Sequence, residues 1–127
     1  MRTGPYILGL AVFSALAGAA NTPPFTTAQA TQGGATYKAQ CALCHGSALN
    51  NGGAPHLKGA DFLKKWGKNS LDDFHYLMST TMPQTNPGGL KPAQYLSLVT
   101  YVLQQNGYKP GKTALTAADL KKYTVGK

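Results

Sequence analysis

The sequence is poor in several residue types that most domains use freely. It contains no glutamate, one arginine (Arg2) and two cysteines among 127 residues, and only 13% of its residues are charged. From Thr31 onward, eleven lysines against four aspartates give a formal charge of +7. A basic surface of this kind attracts acidic partners. Nucleic acid is disfavoured as that partner, because the lysines are dispersed and no arginine follows Arg2.

The sequence also lacks any strand pattern, internal repeat or low-complexity tract. A thioredoxin-like disulfide site is disfavoured, because it requires a βαβ pattern around its Cys-x-x-Cys pair. A structural zinc site is disfavoured as well, since it usually takes four Cys or His ligands and the chain has two cysteines. A redox disulfide and half of a zinc site remain the alternative uses of the two thiols.

The strongest motif is Cys41-Ala42-Leu43-Cys44-His45. Two thiols three positions apart on one helical turn can add to both vinyl groups of a haem, and the adjacent imidazole is then placed on the iron. This spacing is typical of c-type haem attachment. We therefore expect one covalent haem c, which would supply much of the core that residues 31–127 are too few to build alone.

The N-terminus has the pattern of a secretory signal peptide. Arg2 provides the positive end, residues 6–20 are apolar and small, and residues 28–30 (Ala-Gln-Ala) form a small-x-small cleavage site. We predict a signal peptide at residues 1–30 and a mature domain at 31–127, with residues 17–19 (Ala-Gly-Ala) as an alternative cleavage site. The apolar run of about 15 residues is shorter than the roughly 20 that a bilayer span needs, so a permanent anchor is the weaker interpretation.

Helical periodicity, with joints rich in glycine and proline, predicts an all-α fold. We expect helices over about residues 35–45, 62–67, 70–79 and 92–105, and a short helix within residues 116–123. Ser70 with Asp73, and Thr116 with Asp119, resemble capping boxes. Residues 80–89 contain two prolines and two glycines and are expected to be irregular.

Three of these helices have a face that is predicted to be buried. In the first, Tyr37, Cys41 and Cys44 share one face at positions i, i+4 and i+7. In the third, the apolar stripe consists of Leu71, Phe74, Leu77 and Met78. In the last, the inward residues are Tyr95, Leu98, Val99, Val102 and Leu103.

In their order along the chain, several motifs resemble those of the class I cytochromes c. They are Gly33, Tyr37, Cys41 to Gly46, the Pro-His-Leu-x-Gly of residues 55–59, Met82-Pro83, and residues 98–102. The resemblance implies three to five helices wrapped around one covalent haem. A looser similarity, in Trp66-Gly67, Met82-Pro83, Pro87-Gly88 and residues 95–107, is to the monohaem cytochrome subunits and domains of quinoprotein alcohol and sugar dehydrogenases.

The resemblance also implies roles for single residues. Cys41 and Cys44 would bind the haem covalently, and His45 would ligate the iron through one ring nitrogen while its other N–H is donated to the carbonyl of Pro55. Leu57 would pack on the haem. Trp66 would either donate its indole N–H to a haem propionate or simply cap the core.

Met82 is the expected sixth ligand of the iron, because an irregular loop next to a proline can direct a thioether at the metal without breaking a helix. Met78, a bis-histidine site and an open position are the alternatives. Methionine commonly fills gaps in cores, so we assign Met78 to the core. His56 and His75 are expected to be exposed.

Gly33 is expected to permit a close crossing of the first and last helices. The resemblance implies that the rings of Tyr37 and Tyr101 interlock at that crossing.

Two filled axial positions suit one-electron transfer rather than catalysis, and a buried Met-ligated haem has a comparatively high potential. We expect a periplasmic electron-transfer protein, not an enzyme and without a membrane span after processing. A quinoprotein dehydrogenase would be its donor, and an oxidase or another cytochrome its acceptor, with the protein acting as a free carrier or as a subunit.

The lysines that would orient an acidic partner are Lys64, Lys65, Lys68, Lys109, Lys112, Lys121 and Lys122. A haem peroxidase or a gas or redox sensor is the alternative, and it requires an exchangeable axial position.

Overall fold

The computed structural model describes residues 22–127, together with residues 4, 5 and 9. In this part of the chain the helices are α1 Thr27–Gln40, α2 Ala42–His45, α3 Ala60–Trp66, α4 Leu71–Thr81, α5 Pro92–Gln105 and a 3-10 helix at Ala117–Asp119. The β-structure of the described residues is limited to two isolated bridges, which confirms the all-α prediction. Apart from Gly9, the apolar run of the predicted signal peptide lies outside the described residues. Within the described ranges, no helix has both the length and the apolar character needed to cross a bilayer.

Helix α1 differs from the prediction at both ends. It begins at Thr27, well before residue 35, and the hydroxyl of Thr26 caps it by accepting from the backbone N–H of Gln29 at 3.1 Å. The early turns are polar and rich in small residues, so they show no apolar stripe that periodicity could detect. The helix ends at Gln40, because Cys41 leaves helical geometry at φ −124°, and α2 starts one residue later.

Helices α1 and α5 cross at Gly33, as the prediction required. A Cβ at this position would lie within 2.5 Å of the carbonyl carbon of Ser97, so only glycine lets the two backbones approach this closely. Next to the crossing, the rings of Tyr37 and Tyr101 pack with their centroids 5.3 Å apart. The crossing holds the Cys41 end of α1 against α5.

Helix α4 is capped as predicted but is longer. The hydroxyl of Ser70 accepts from the backbone N–H of Asp73 at 3.0 Å. The helix continues to Thr81, into the segment that was predicted to be irregular. The hydroxyls of Thr80 and Thr81 donate to carbonyls one turn earlier, at 2.7 and 2.6 Å, which occupies acceptors of the last turn.

The faces of α4 and α5 differ in how completely they are covered. All five predicted inward residues of α5 are buried, and its bounds agree with the prediction. On α4, Leu71 and Phe74 are buried, Met78 is half-buried and Leu77 is 43% exposed. The inward face of α5 is therefore fully packed, whereas the C-terminal part of the α4 stripe is partly exposed to solvent.

Residues 108–127, here called the C-terminal strap, wrap around the body. The strap pairs with the start of the domain where the N–H of Gly111 donates to the carbonyl of Phe25 at 2.7 Å. It then reaches α4, where the N–H of Leu71 donates to the carbonyl of Tyr123 at 2.9 Å. Its buried side chains are Tyr108, Leu115, Leu120 and Val125. The helix predicted within residues 116–123 is only the 3-10 turn at Ala117–Asp119.

The strap turn is expected to weaken in acid. The carboxylate of Asp119 accepts from the backbone N–H and the hydroxyl of Thr116, both at 2.9 Å, and lies 3.5 Å from the ammonium of Lys122. These hydrogen bonds, followed by the lysine charge, lower the pKa of Asp119 in the folded protein. Because the folded pKa is below the unfolded one, the stabilisation is full above the ordinary aspartate pKa and is lost as the pH falls through the folded value.

Replacing Asp119 with alanine should therefore lower the free energy of unfolding by about 1 kcal/mol at neutral pH and by much less near pH 3. Urea unfolding of the holoprotein at both pH values measures this difference. Asp61→Ala is the matched control, because the carboxylate of Asp61 is 79% exposed and pairs with a histidine, His56, at 3.4 Å. An equal loss at both pH values would contradict the assigned role of the carboxylate.

Candidate functional site

The two cysteines lie at the junction of α1 and α2. The N–H of Cys41 donates to the carbonyl of Tyr37 at 2.8 Å, and the carbonyl of Cys41 accepts from the N–H groups of Cys44 and His45 at 3.2 and 3.0 Å. Both thiols are free; Cys41 is half-buried and Cys44 is exposed. Backbone hydrogen bonds thus hold the two thiols and the imidazole within one short turn.

The environment of Cys41 is unlike that of a redox-active thiol. Burial raises the pKa of Cys41 to about 11, whereas reactive Cys-x-x-Cys thiols have a lowered pKa. The direction of this shift argues against the redox disulfide. As for the zinc alternative, the described part of the chain contains no group of three or more histidine, cysteine or aspartate side chains that could hold a metal ion.

His45 is 8% exposed, and its ring is oriented by a backbone carbonyl. Its Nδ1 lies 2.8 Å from the carbonyl oxygen of Pro55. A carbonyl can only accept, so Nδ1 carries a proton, and in the neutral ring the lone pair is then on Nε2. A neutral imidazole whose other nitrogen is fixed in this way is the usual form of a histidine ligand.

The loop after His45 folds back to bring Pro55 into place. Gly46 turns the chain at φ +90°, and its carbonyl accepts from the hydroxyl of Tyr37 at 2.6 Å. Further along, the N–H of Ala54 donates to the carbonyl of Cys44 at 2.9 Å. Leu49 is buried although its φ is +66°, a conformation that few non-glycine residues adopt. The sequence motifs gave no indication that Leu49 would be buried in this conformation.

Asn106 is a second residue of this site that sequence reasoning missed. It is the C-cap of α5, and its side chain accepts from the N–H of Gly59 at 3.0 Å and donates to the carbonyl of Leu57 at 3.0 Å. Leu57 itself is half-buried and packs against the core cluster. The loop that carries Pro55 and Leu57 is thereby fastened to the end of α5.

Met82 lies at the end of α4 and is bonded to Tyr95, near the start of α5. It is the C-cap of α4, with its N–H donated to the carbonyl of Met78 at 2.9 Å. Its own carbonyl accepts from the hydroxyl of Tyr95, on α5, at 2.6 Å. Met78 packs against the core cluster, in agreement with its predicted place there. His45 is thus tied to the Pro55 loop, and Met82 to Tyr95.

The remaining predicted residues have simpler surroundings. The ring of Trp66 packs edge-on against Phe74 with centroids 5.3 Å apart, and the ammonium of Lys65 lies 5.8 Å from the indole centroid. His56 is exposed as predicted. The prediction of an exposed His75 is wrong: it is half-buried with its ring edge-on to Tyr95, and burial lowers its pKa although the charge of Asp72 opposes this.

Several large apolar side chains near these elements are exposed. They are Leu43 at 98%, Tyr76 at 69%, Leu77 at 43% and Leu63 at 39%. Leu77 belongs to the same stripe of α4 as the buried Phe74, and Met82 follows at the end of that helix. Exposed apolar surface that continues from the core is typical of a site that binds an apolar group.

Residues 28–102 match the family model described as Cytochrome C oxidase, cbb3-type, subunit III. The chain belongs to this family of cytochrome c domains. Membership establishes the class I cytochrome c fold and one covalently bound haem c. No significant match was found among curated proteins or among solved structures. The match gives no support for the narrower similarity to quinoprotein dehydrogenase subunits.

The residues of this cytochrome c domain fit the group that its family binds. Two free thiols stand beside an imidazole whose Nε2 lone pair is available. A thioether is present at the end of α4, and apolar side chains that a porphyrin could cover lie on α3 and α4. The donor set, two thiols for covalent attachment and one nitrogen with one soft sulfur, is that of a c-type cytochrome.

Proposed function

We propose that this cytochrome c domain is a single-electron carrier in which Cys41 and Cys44 hold the haem covalently and His45 and Met82 ligate its iron. The observation that carries the proposal is the hydrogen bond between Nδ1 of His45 and the Pro55 carbonyl. This hydrogen bond favours the tautomer in which Nε2 is free to bind a metal. The histidine directly follows the second cysteine, Cys44.

The bound haem c supplies a one-electron couple between ferric and ferrous iron. The chain determines how that couple behaves. With His45 and Met82 both bound to the iron, the chain would leave no position for oxygen or a substrate. A thioether stabilises ferric iron poorly, and a buried pocket disfavours the additional charge, so Met82 and the core around it favour a comparatively high potential. Pro55 keeps His45 oriented, and Leu57 and Trp66 line the pocket in this proposal.

A basic surface would guide the encounter with redox partners. The lysines that would do so are exposed: Lys64, Lys65, Lys68, Lys109, Lys112, Lys121 and Lys122. Of these, Lys122 lies 3.5 Å from Asp119 and is partly neutralised. We propose an acidic periplasmic dehydrogenase of the quinoprotein type as the donor and an oxidase or another cytochrome as the acceptor, because opposite charges speed such encounters. Transfer from a purified quinoprotein dehydrogenase that stays absent at every salt concentration would exclude that donor.

Export to the periplasm is part of the same proposal, with cleavage after Ala19 rather than after Ala30. Cleavage after Ala30 would cut inside α1 and remove Phe25, which is fully buried, and the Thr26 cap. The alternative site at residues 17–19 would leave both in place. The new N-terminus of the exported protein, read by mass spectrometry, decides between the two sites.

One preparation of the exported protein tests the central claim. We expect a mass increase of one haem that survives denaturation, and a ferric spectrum with the weak far-red band that marks a methionine–iron bond. We also expect slow uptake of carbon monoxide by the ferrous protein at neutral pH. A colourless protein, or a pigment extracted by acid acetone, would refute covalent haem binding. Rapid uptake of carbon monoxide would instead favour a peroxidase or a sensor.

A further inference from the structure

One hydroxyl joins both ends of the segment that carries Met82. Residues 82–90, here called the Met82 loop, run from the end of α4 to the start of α5. The hydroxyl of Tyr95 donates to the carbonyl of Met82 at 2.6 Å and accepts from the N–H of Leu90 at 3.3 Å. Tyr95 is 4% exposed, so both bonds are shielded from water.

The Met82 loop has few other attachments to the body. Three internal bonds close turns within the loop: the N–H groups of Asn86, Gly88 and Gly89 donate to the carbonyls of Pro83 at 2.9 Å, Met82 at 3.3 Å and Asn86 at 3.0 Å, respectively. Residues 84–89 are exposed, and Pro83 is the buried residue of the loop. The position of Met82 therefore depends on its bond to α4, on Pro83, and on Tyr95.

The ring of Tyr95 is itself held in place. It extends from α5, whose inward face is buried, and it packs edge-on with the ring of His75 at a centroid distance of 6.5 Å. A hydroxyl on a fixed ring at a fixed place on a helix defines where the Met82 carbonyl must lie. The side chain of Met82 leaves from the same residue, so its starting point is defined as well.

We propose that Tyr95 is a positioning residue for the axial methionine, holding the Met82 loop so that the thioether stays on the iron. This inference rests on the proposed function, in which Met82 is the sixth ligand. Loss of the hydroxyl removes the shorter of two hydrogen bonds to the Met82 carbonyl, leaving the one from the N–H of Gly88 at 3.3 Å. It also frees the Leu90 N–H, while the ring and its packing remain. The thioether of Met82 would then be held less firmly, and an external ligand would bind the iron in its place more readily.

The test uses the holoprotein of the Tyr95→Phe variant, with imidazole added to the ferric form as the external ligand. We expect the rate and affinity of imidazole binding to rise about five-fold, the factor that one ordinary hydrogen bond represents. We also expect a weaker far-red band. Tyr101→Phe is the matched control: it removes a hydroxyl from the same helix, at a ring that packs on Tyr37, and should bind imidazole as the wild type does.

The outcomes separate this inference from the proposed function. If the wild type has the far-red band and Tyr95→Phe binds imidazole no faster, Tyr95 does not position the ligand although Met82 is one. If Tyr95→Phe yields no holoprotein while Tyr101→Phe does, or loses stability without faster binding, its role is structural and the inference fails. If the wild type lacks the band, the proposed function itself fails.

Discussion

Replacing Met82 with alanine is expected to abolish the far-red ferric band and to make the ferrous protein bind carbon monoxide rapidly. Alanine has no donor atom, so the sixth position is left to water or to an added ligand. The midpoint potential should fall by a sizeable part of the roughly 0.8 V range that axial ligands control, because the thioether that disfavours ferric iron is gone. Optical spectra, carbon monoxide mixing and a redox titration measure the three effects.

Met78→Leu is the control for this substitution. Met78 is half-buried and packs against the core cluster, so leucine should preserve the packing at a cost below about 1.5 kcal/mol and leave the band and the potential unchanged. If Met78→Leu lost the band and Met82→Ala kept it, the two methionines would exchange roles. A band that survives each single substitution would contradict the assignment of Met82 as the sole sixth ligand.

Helix α5 shows what sequence can predict about this fold. A proline at its start, an apolar repeat with the helical period and Asn-Gly at its end agree with one another, and the structure places the helix at Pro92–Gln105. The early turns of α1 lack such agreement. They contact α5 at Gly33, and Ala30 is fully buried. Small residues give no apolar signal even when their burial is complete.

The candidate site likewise has one part that the sequence predicts and another that it does not. Cys41, Cys44 and His45 are contiguous, so their chemistry can be identified from spacing alone. The residues that support the ligands are distant in sequence: Asn106 bonds to Leu57 and Gly59 across 49 and 47 positions. Their side chains have no distinctive local pattern, and such pairings become visible only once the fold brings α5 against the loops. Tyr95 was predicted as a buried residue but not as a partner of Met82.

Helix α5 thus supports both loops that hold the proposed ligands. Tyr95, near its start, bonds to Met82, and Asn106, at its end, bonds to the loop after Pro55. The rigidity of the site therefore depends on how firmly α5 is held by α1, and that contact is made where Gly33 meets Ser97.

Replacing Gly33 with alanine is accordingly expected to be strongly destabilising. The added Cβ would lie 2.5 Å from the carbonyl carbon of Ser97 and 2.9 Å from the Cβ of Tyr101, so the two backbones must separate. Overpacking of this kind costs about 3 kcal/mol at the upper end of its usual range, and the better helix propensity of alanine returns about 1 kcal/mol. A net loss of about 2 kcal/mol would lower the melting temperature of the holoprotein by roughly 10 °C, which calorimetry can measure.

Gly34→Ala is the matched control for Gly33→Ala, because it introduces the same methyl group one residue further along the same helix. Its Cβ would lie 3.1 Å from a ring carbon of Tyr101, a half-exposed side chain that can shift, rather than against a backbone. The gain in helix propensity should then offset the contact and leave the melting temperature within a few degrees of the wild type. If both variants melted together, the close approach of Gly33 to Ser97 would not set the cost of the substitution, and the crossing of α1 and α5 would not be what fixes the site.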